Sequence, residues 1–115
     1  MHYGEFPDAP ASGTPLCADR DIRTQGVFVA AIGAFPYLVV QTPQGPRAYV
    51  NLCPHRFLPL DHRAEGILGA DGALLCSNHD GKFDATSGAG IKEPALGCRL
   101  IPVPLRPEGE NWVVA

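Results

Sequence analysis

The sequence predicts an all-β domain of several short antiparallel strands, with its functional loops gathered at one end. That prediction rests on three features. Apolar, β-branched and aromatic residues come in short runs such as Val27–Ile32 and Tyr37–Gln41, the composition that fits a pleated surface. The 13 glycines and 12 prolines among 115 residues fall between those runs, where they read as turns rather than as disorder. No window of helical length keeps an apolar period near 3.6 residues. A chain of this length is one domain with a modest core.

Taken in order, residues 1–13 are rich in Pro, Gly and Ala without any period and are expected to form an extended arm. The single domain then runs over 14–115. A short strand is expected at Pro15–Cys17, a second at Val27–Ile32 closed by Gly33, and a third at Tyr37–Gln41. Thr42-Pro-Gln-Gly-Pro46 turns the chain into Arg47–Leu52, which alternates with Ala48, Val50 and Leu52 on one face. The segment 54–66 reads as irregular. Ala70-Asp-Gly72 is a hairpin turn, Ala73–Cys76 is a short strand, and Lys82–Asp84 another, followed by the turn Thr86–Gly90. Leu100–Leu105 is extended, and its prolines restrict it to a sheet edge. Glu108–Asn111 turns into a last strand at Trp112–Ala115, with Trp112 expected as a core aromatic.

Two pairs of soft or borderline ligands interrupt this β pattern: Cys53-Pro-His55 and Cys76-Ser-Asn-His79. Each pair sits among turn residues. A Cys and a His so close on a short loop can address one small inorganic object from one side, and two such loops can enclose it. Metal site and iron–sulfur site are both compatible with that donor set.

The flanks carry a resemblance. Cys76-Ser-Asn-His79-Asp-Gly-Lys-Phe83-Asp84-Ala-Thr-Ser-Gly88 looks like the second Rieske box, and Cys53-Pro-His55-Arg56-Phe-Leu-Pro-Leu60-Asp61 is similar to the first. Pro15-Leu-Cys-Ala-Asp19 and Ile101-Pro-Val-Pro-Leu105 also resemble that family, so the likeness runs over nearly the whole chain. The resemblance implies a Rieske-like antiparallel β-sandwich with a small cluster-binding subdomain of two loops, at about 45–95. It implies a [2Fe–2S] cluster held by Cys53, His55, Cys76 and His79, two Cys on one iron and two His on the other. Neutral imidazoles in place of two thiolates leave the oxidised centre uncharged overall, so adding an electron is easier than for an all-cysteine cluster. The outer nitrogens of His55 and His79 are then the electron's exit, and their ionisation couples the potential to alkaline pH.

High-potential relatives place a Ser hydroxyl two positions after the second His and a Tyr hydroxyl two further on. This chain has Gly81 and Phe83 there, neither with a hydroxyl. Such relatives also join the two loops by a disulfide, where this chain has Leu58 and Asn78. Both departures imply a low-potential, ferredoxin-like centre near the low end of the Rieske range, roughly −150 mV. Phe57 and Asp80 stand where relatives commonly have glycine, so the first loop must differ in backbone or turn Phe57 outward. Arg56 reads equally as a steering charge for an acidic partner and as a solvated surface group.

A net charge of −3 does not suggest a nucleic-acid partner. The N-terminus has neither a basic start nor an apolar run, which predicts no signal peptide, no membrane anchor and a cytoplasmic location. Cys17 and Cys98 read as small buried hydrophobes. His2 and His62 read as surface groups, and Asp61, Arg63 and Asp84 as turn or surface residues. The leading expectation is a non-enzymatic one-electron carrier between a reductase and an oxygenase or similar acceptor. One alternative is a small Rieske subunit of a larger oxidoreductase, nitrite reductase-like or oxygenase. The other is a structural Cys2His2 zinc domain, against which the narrow Cys–His steps and the missing helix both speak.

Overall fold

The computed structural model describes residues 2–53, 60, 64–69, 71–76, 81–93 and 95–115. Their elements are β1 (Pro15–Ala18), α1 (Asp19–Gln25), β2 (Val27–Ile32), β3 (Phe35–Thr42), β4 (Gly45–Val50), α2 (Ala64–Ile67), β5 (Leu74–Leu75), β6 (Lys82–Phe83), β7 (Gly90–Lys92), β8 (Pro102–Val103), β9 (Leu105–Glu108) and β10 (Asn111–Val114). They form three antiparallel sheets, ordered β1-β10-β9, β2-β3-β4-β8 and β5-β6-β7. The all-β expectation holds, and the strand at Val27–Ile32 has the expected bounds.

The four-stranded sheet is the middle layer. Successive side chains of a strand point to opposite faces, and here both faces are apolar. Phe35, Tyr37 and Val39 of β3 and Ala48 and Val50 of β4 enter a back core with Leu16, Cys17, Ile22, Val103 and Val114. Leu38 and Val40 of β3 and Tyr49 of β4 enter a front core with Val27, Cys53, Leu60, Ile67, Leu74, Cys76, Phe83 and Leu100. The register agrees with this sorting: Leu38 pairs with Tyr49, and Tyr37 with Val50. Ala48, Val50 and the partly buried Leu52 share the back face, as the alternation in Arg47–Leu52 predicts. Each buried apolar side chain contributes about 1.5–3 kcal/mol.

Two elements depart from the sequence reading. Helix α1 has seven residues, too few for an apolar period to show, and it docks through Ile22, which is fully buried. Its ends are nevertheless encoded: the Asp21 carboxylate accepts the Ala18 N–H at 3.0 Å, and Gly26 ends the helix at φ +82° with its N–H on the Ile22 carbonyl at 2.8 Å. The short helix α2 falls inside and just beyond the stretch expected to be irregular. The prolines of 100–105 act as expected, since β8 is the edge of its sheet.

Residues 2–13 lie against the back core. Tyr3–Glu5 form one 3₁₀ turn. Tyr3 and Phe6 meet Phe35 edge-on at 6.4 and 6.2 Å. The Asp8 carboxylate accepts the Ala34 N–H at 2.7 Å, in the β2–β3 hairpin. Trp112 is only half-buried, because its indole N–H reaches out to the Asp19 carboxylate at 2.8 Å, correcting the expectation of a plain core aromatic. That hydrogen bond, with a further one from Arg23, holds the Asp19 carboxyl below its ordinary range.

Three acidic protons are held by burial. Burial, helped by Asp21 and Asp19, pushes the Cys17 thiol from 9.0 to about 11. Burial pushes the phenols of Tyr37 and Tyr49 from 10.0 to about 12. A raised folded-state pKa means stability that is complete below the unfolded pKa and lost as pH rises through the folded one. Stability should therefore hold up to about pH 9 and fall steeply from there to about pH 12. Urea midpoints measured across that window test this; a flat profile to pH 12 contradicts it.

Candidate metal centre

Both predicted cysteine ligands start loops on the front face. Strand β4 runs straight through Asn51 and Leu52 into Cys53, which is fully buried. Asn51 anchors that exit. Its backbone N–H donates to the Pro36 carbonyl at 3.0 Å, and its buried side-chain oxygen accepts the Leu60 N–H at 3.0 Å. Leu60, itself fully buried, thus marks where the first loop returns to the core.

The second loop is delivered by β5. Cys76, 3% exposed, follows the strand directly, and its N–H donates to the Gly81 carbonyl at 3.1 Å, closing the loop from 76 to 81. Strand β6 then returns beside β5, with Phe83 opposite Leu74. Phe83 is fully buried in the same core as both cysteines. Asp84 shapes the following turn: its carboxylate accepts the Thr86 N–H and the Ser87 hydroxyl, both at 3.1 Å, so the turn role expected of it is the observed one. Gly88 has φ +78°, and a Cβ there would stand 2.8 Å from the Tyr49 ring. Gly90 lies so near Ala95 that a Cβ would fall 1.8 Å from its carbonyl oxygen.

The structure therefore brings Cys53, Cys76 and Phe83 into one core and puts Gly81 at the loop closure. His55, Arg56, Phe57, Leu58, Asp61, His62, Arg63, Asn78, His79 and Asp80 lie outside the described residues. Cys17 and Cys98 are not disulfide-bonded. Cys17 is buried in the back core as expected, whereas Cys98 is only partly buried against the front one. His2 is exposed and accepts the Gly4 N–H at 3.0 Å through Nδ1. A cleft beside Trp112, Asp19 and Arg20 has neither Cys53 nor Cys76 in its lining.

The donor chemistry fits an iron–sulfur cluster. Two sulfur donors share one apolar core, each at the start of a loop that a hydrogen bond ties back to the fold. Asn51 and Tyr49 are the site residues that the motif alone does not disclose. The available signal is a polar Asn two positions before Cys53 in an alternating strand, where an unpartnered amide would be costly.

Comparison with known proteins agrees with this geometry. Residues 12–106 match the model of the Rieske [2Fe–2S] domain. The chain is 35% identical over 99 residues to the ferredoxin component of the alkene monooxygenase system of Xanthobacter autotrophicus, covering 86% of this chain and 77% of the relative. Its fold superimposes on the ferredoxin of carbazole 1,9a-dioxygenase from Nocardioides aromaticivorans with a TM-score of 0.69 at 22% identity, covering 90% and 98% of the two chains. It also superimposes on a plasma-membrane Rieske protein of the cyanobacterium Synechocystis with a TM-score of 0.70 at 22% identity, covering 89% and 98%. Among the described residues no helix is long and apolar enough to cross a membrane.

Replacing Asn51 by Ala removes the acceptor of a buried N–H. The expected cost is about 1–3 kcal/mol of folding stability, read as a lower urea midpoint. A midpoint equal to that of the unsubstituted protein would show that Leu60 is held by other means.

Proposed function

We propose a function from one premise: this chain belongs to the Rieske [2Fe–2S] domain family. It is a one-electron carrier that receives electrons from a reductase and hands them to an oxygenase or similar acceptor. The observation that carries this reading is the joint burial of Cys53 and Cys76 in one apolar core, in a chain related to a monooxygenase ferredoxin component. The same premise removes the Cys2His2 zinc alternative, because the family's metal is an iron–sulfur cluster.

Cys53 and His55 of the first loop and Cys76 and His79 of the second would hold the cluster. The assignment of the two histidines rests on their spacing from the cysteines. When bound, a [2Fe–2S] cluster supplies a reversible one-electron couple. The protein's own contribution is to set that couple. Leu60, Leu74, Phe83 and Leu100 share the apolar core of the two cysteines, and a weakly polar surround opposes the added negative charge. Gly81 and Phe83 bring no hydroxyl to the sulfurs, and Leu58 and Asn78 form no disulfide between the loops. The centre thus works at low potential, in keeping with a cytoplasmic carrier. The cluster-binding part spans about 45–95 within a domain at 14–115 that follows the arm at 1–13. Arg56 follows His55 in the sequence and would steer a partner's acidic group toward it. With no nucleophile–base pair in the sequence, the chain on its own turns over no substrate; it binds neither nucleic acid nor membrane.

Iron and acid-labile sulfide should each be present at about two per chain in purified protein. Cys53→Ser or Cys76→Ser should abolish both, since a hydroxyl poorly replaces a thiolate, while Cys17→Ser should leave the visible spectrum intact. Stoichiometric zinc in a colourless folded protein, expressed with ample iron, would refute the reading.

Phe83→Tyr should raise the potential. A hydroxyl donating to sulfur favours the reduced form, which carries more negative charge. A charge-assisted bond outweighs a neutral one by on the order of 1 kcal/mol, equivalent to tens of millivolts for a one-electron couple. Protein-film voltammetry reads the shift. No rise in a variant with its cluster intact would place Phe83 away from the sulfurs.

A further inference from the structure

Strand β4 and the residue just beyond it carry two side chains that tie the segments around Cys53 and Cys76 to the fold. Asn51 holds the return of the first loop at Leu60. Tyr49, two residues earlier, reaches a different segment: its buried hydroxyl donates to the Ala85 carbonyl at 2.7 Å, across 36 residues of sequence. Ala85 lies two residues beyond Phe83, which is paired with Leu74, and Leu74 lies two residues before Cys76. The Tyr49 ring packs so closely on Gly88 that a Cβ there would stand 2.8 Å from its Cε1. Ring and hydroxyl together therefore grip the turn that follows β6, the strand onto which the second loop returns.

We propose that Tyr49 is a positioning residue for the cluster: its hydroxyl fixes the turn after β6 against β4 and, through the paired β6 and β5, sets where Cys76 stands relative to Cys53. The inference rests on the assignment of those cysteines as ligands. A [2Fe–2S] unit has a fixed bite, and a loop free to shift by a fraction of an ångström offers its sulfur at a wrong distance. Removing the hydroxyl alone leaves the ring, its packing and the strand in place. The effect then falls on the loop spacing.

The fold contains its own control. Tyr37 is also a buried tyrosine whose hydroxyl donates to a backbone carbonyl, that of Leu16, but it sits in the back core, whereas Tyr49 sits in the front one. Tyr49→Phe and Tyr37→Phe delete the same group from comparable surroundings, and both lower the urea midpoint by a similar amount. Only Tyr49→Phe acts in the core that holds Cys53 and Cys76.

The experiment compares the loaded wild type with Tyr37→Phe and Tyr49→Phe. It records the EPR g-values of the reduced proteins, their midpoint potentials, and the rate of iron release to a chelator under native conditions. Tyr49→Phe is expected to shift the g-values and the potential and to release iron about fivefold faster, while Tyr37→Phe matches wild type in all three. Gly88→Ala, which displaces the ring and keeps the hydroxyl, is expected to move the same signals. If Tyr49→Phe is as indifferent as Tyr37→Phe, or both alter the signals equally, Tyr49 is a structural tyrosine and the proposal falls; should Tyr49→Phe fail to fold, the Gly88→Ala signals decide by the same rule. A wild type that holds no [2Fe–2S] cluster overturns the ligand assignment instead, and shows itself before any variant is made.

Discussion

Burial of β3 and β4 on both faces is the constraint from which the rest of the molecule follows. A strand apolar on one side needs one covering layer; Leu38, Val39, Val40, Ala48, Tyr49 and Val50 alternate between two cores and require two. The β1-β10-β9 sheet supplies the back cover. The front cover is made of very short strands and the segments around them, and it is there that Cys53 and Cys76 lie. Two-residue strands such as β5 and β6 are not stable by themselves. They hold their place because Leu74 and Phe83 are fully buried against the middle sheet.

That dependence ties the segments that begin at Cys53 and Cys76 to the middle sheet. Rigidity is borrowed from the sheet through a few cross-links: the Asn51 amide at Leu60, the Cys76 N–H at Gly81, and the Tyr49 phenol at Ala85. The first two start from residues directly beyond β4 and β5, and the third from β4 itself. In the front core these bonds lie among apolar side chains, where a lost partner is costly. Redox work benefits from the same arrangement, since a rigid and weakly polar surround reorganises little when charge changes.

The back of the molecule is tied in a parallel manner with different chemistry. Tyr3 and Phe6 stack edge-on against Phe35, Asp8 receives an amide of the β2–β3 hairpin, and Trp112 reaches Asp19 at the start of α1. These contacts bear on the stability of the back core. The separation places Cys53, Cys76 and Phe83 on one side of the middle sheet and the N-terminal segment and α1 on the other.

The strands and the turns were legible in the amino-acid sequence because each depends on neighbours a few residues apart. Alternation in Arg47–Leu52, prolines at 102 and 104, and the two Cys–His steps are all local signals. Helix α1 was missed because seven residues are too few to show a period, although Asp21 and Gly26 mark its ends. The half-exposure of Trp112, the two-faced burial of β4, and the bonds from Tyr49 and Asn51 were decided only by the tertiary structure. Each joins residues distant in sequence: Asp19 to Trp112, Tyr49 to Ala85. No local pattern encodes such a meeting, because it exists only once three sheets have stacked and the alternation of one strand has been given something to bury against on each side.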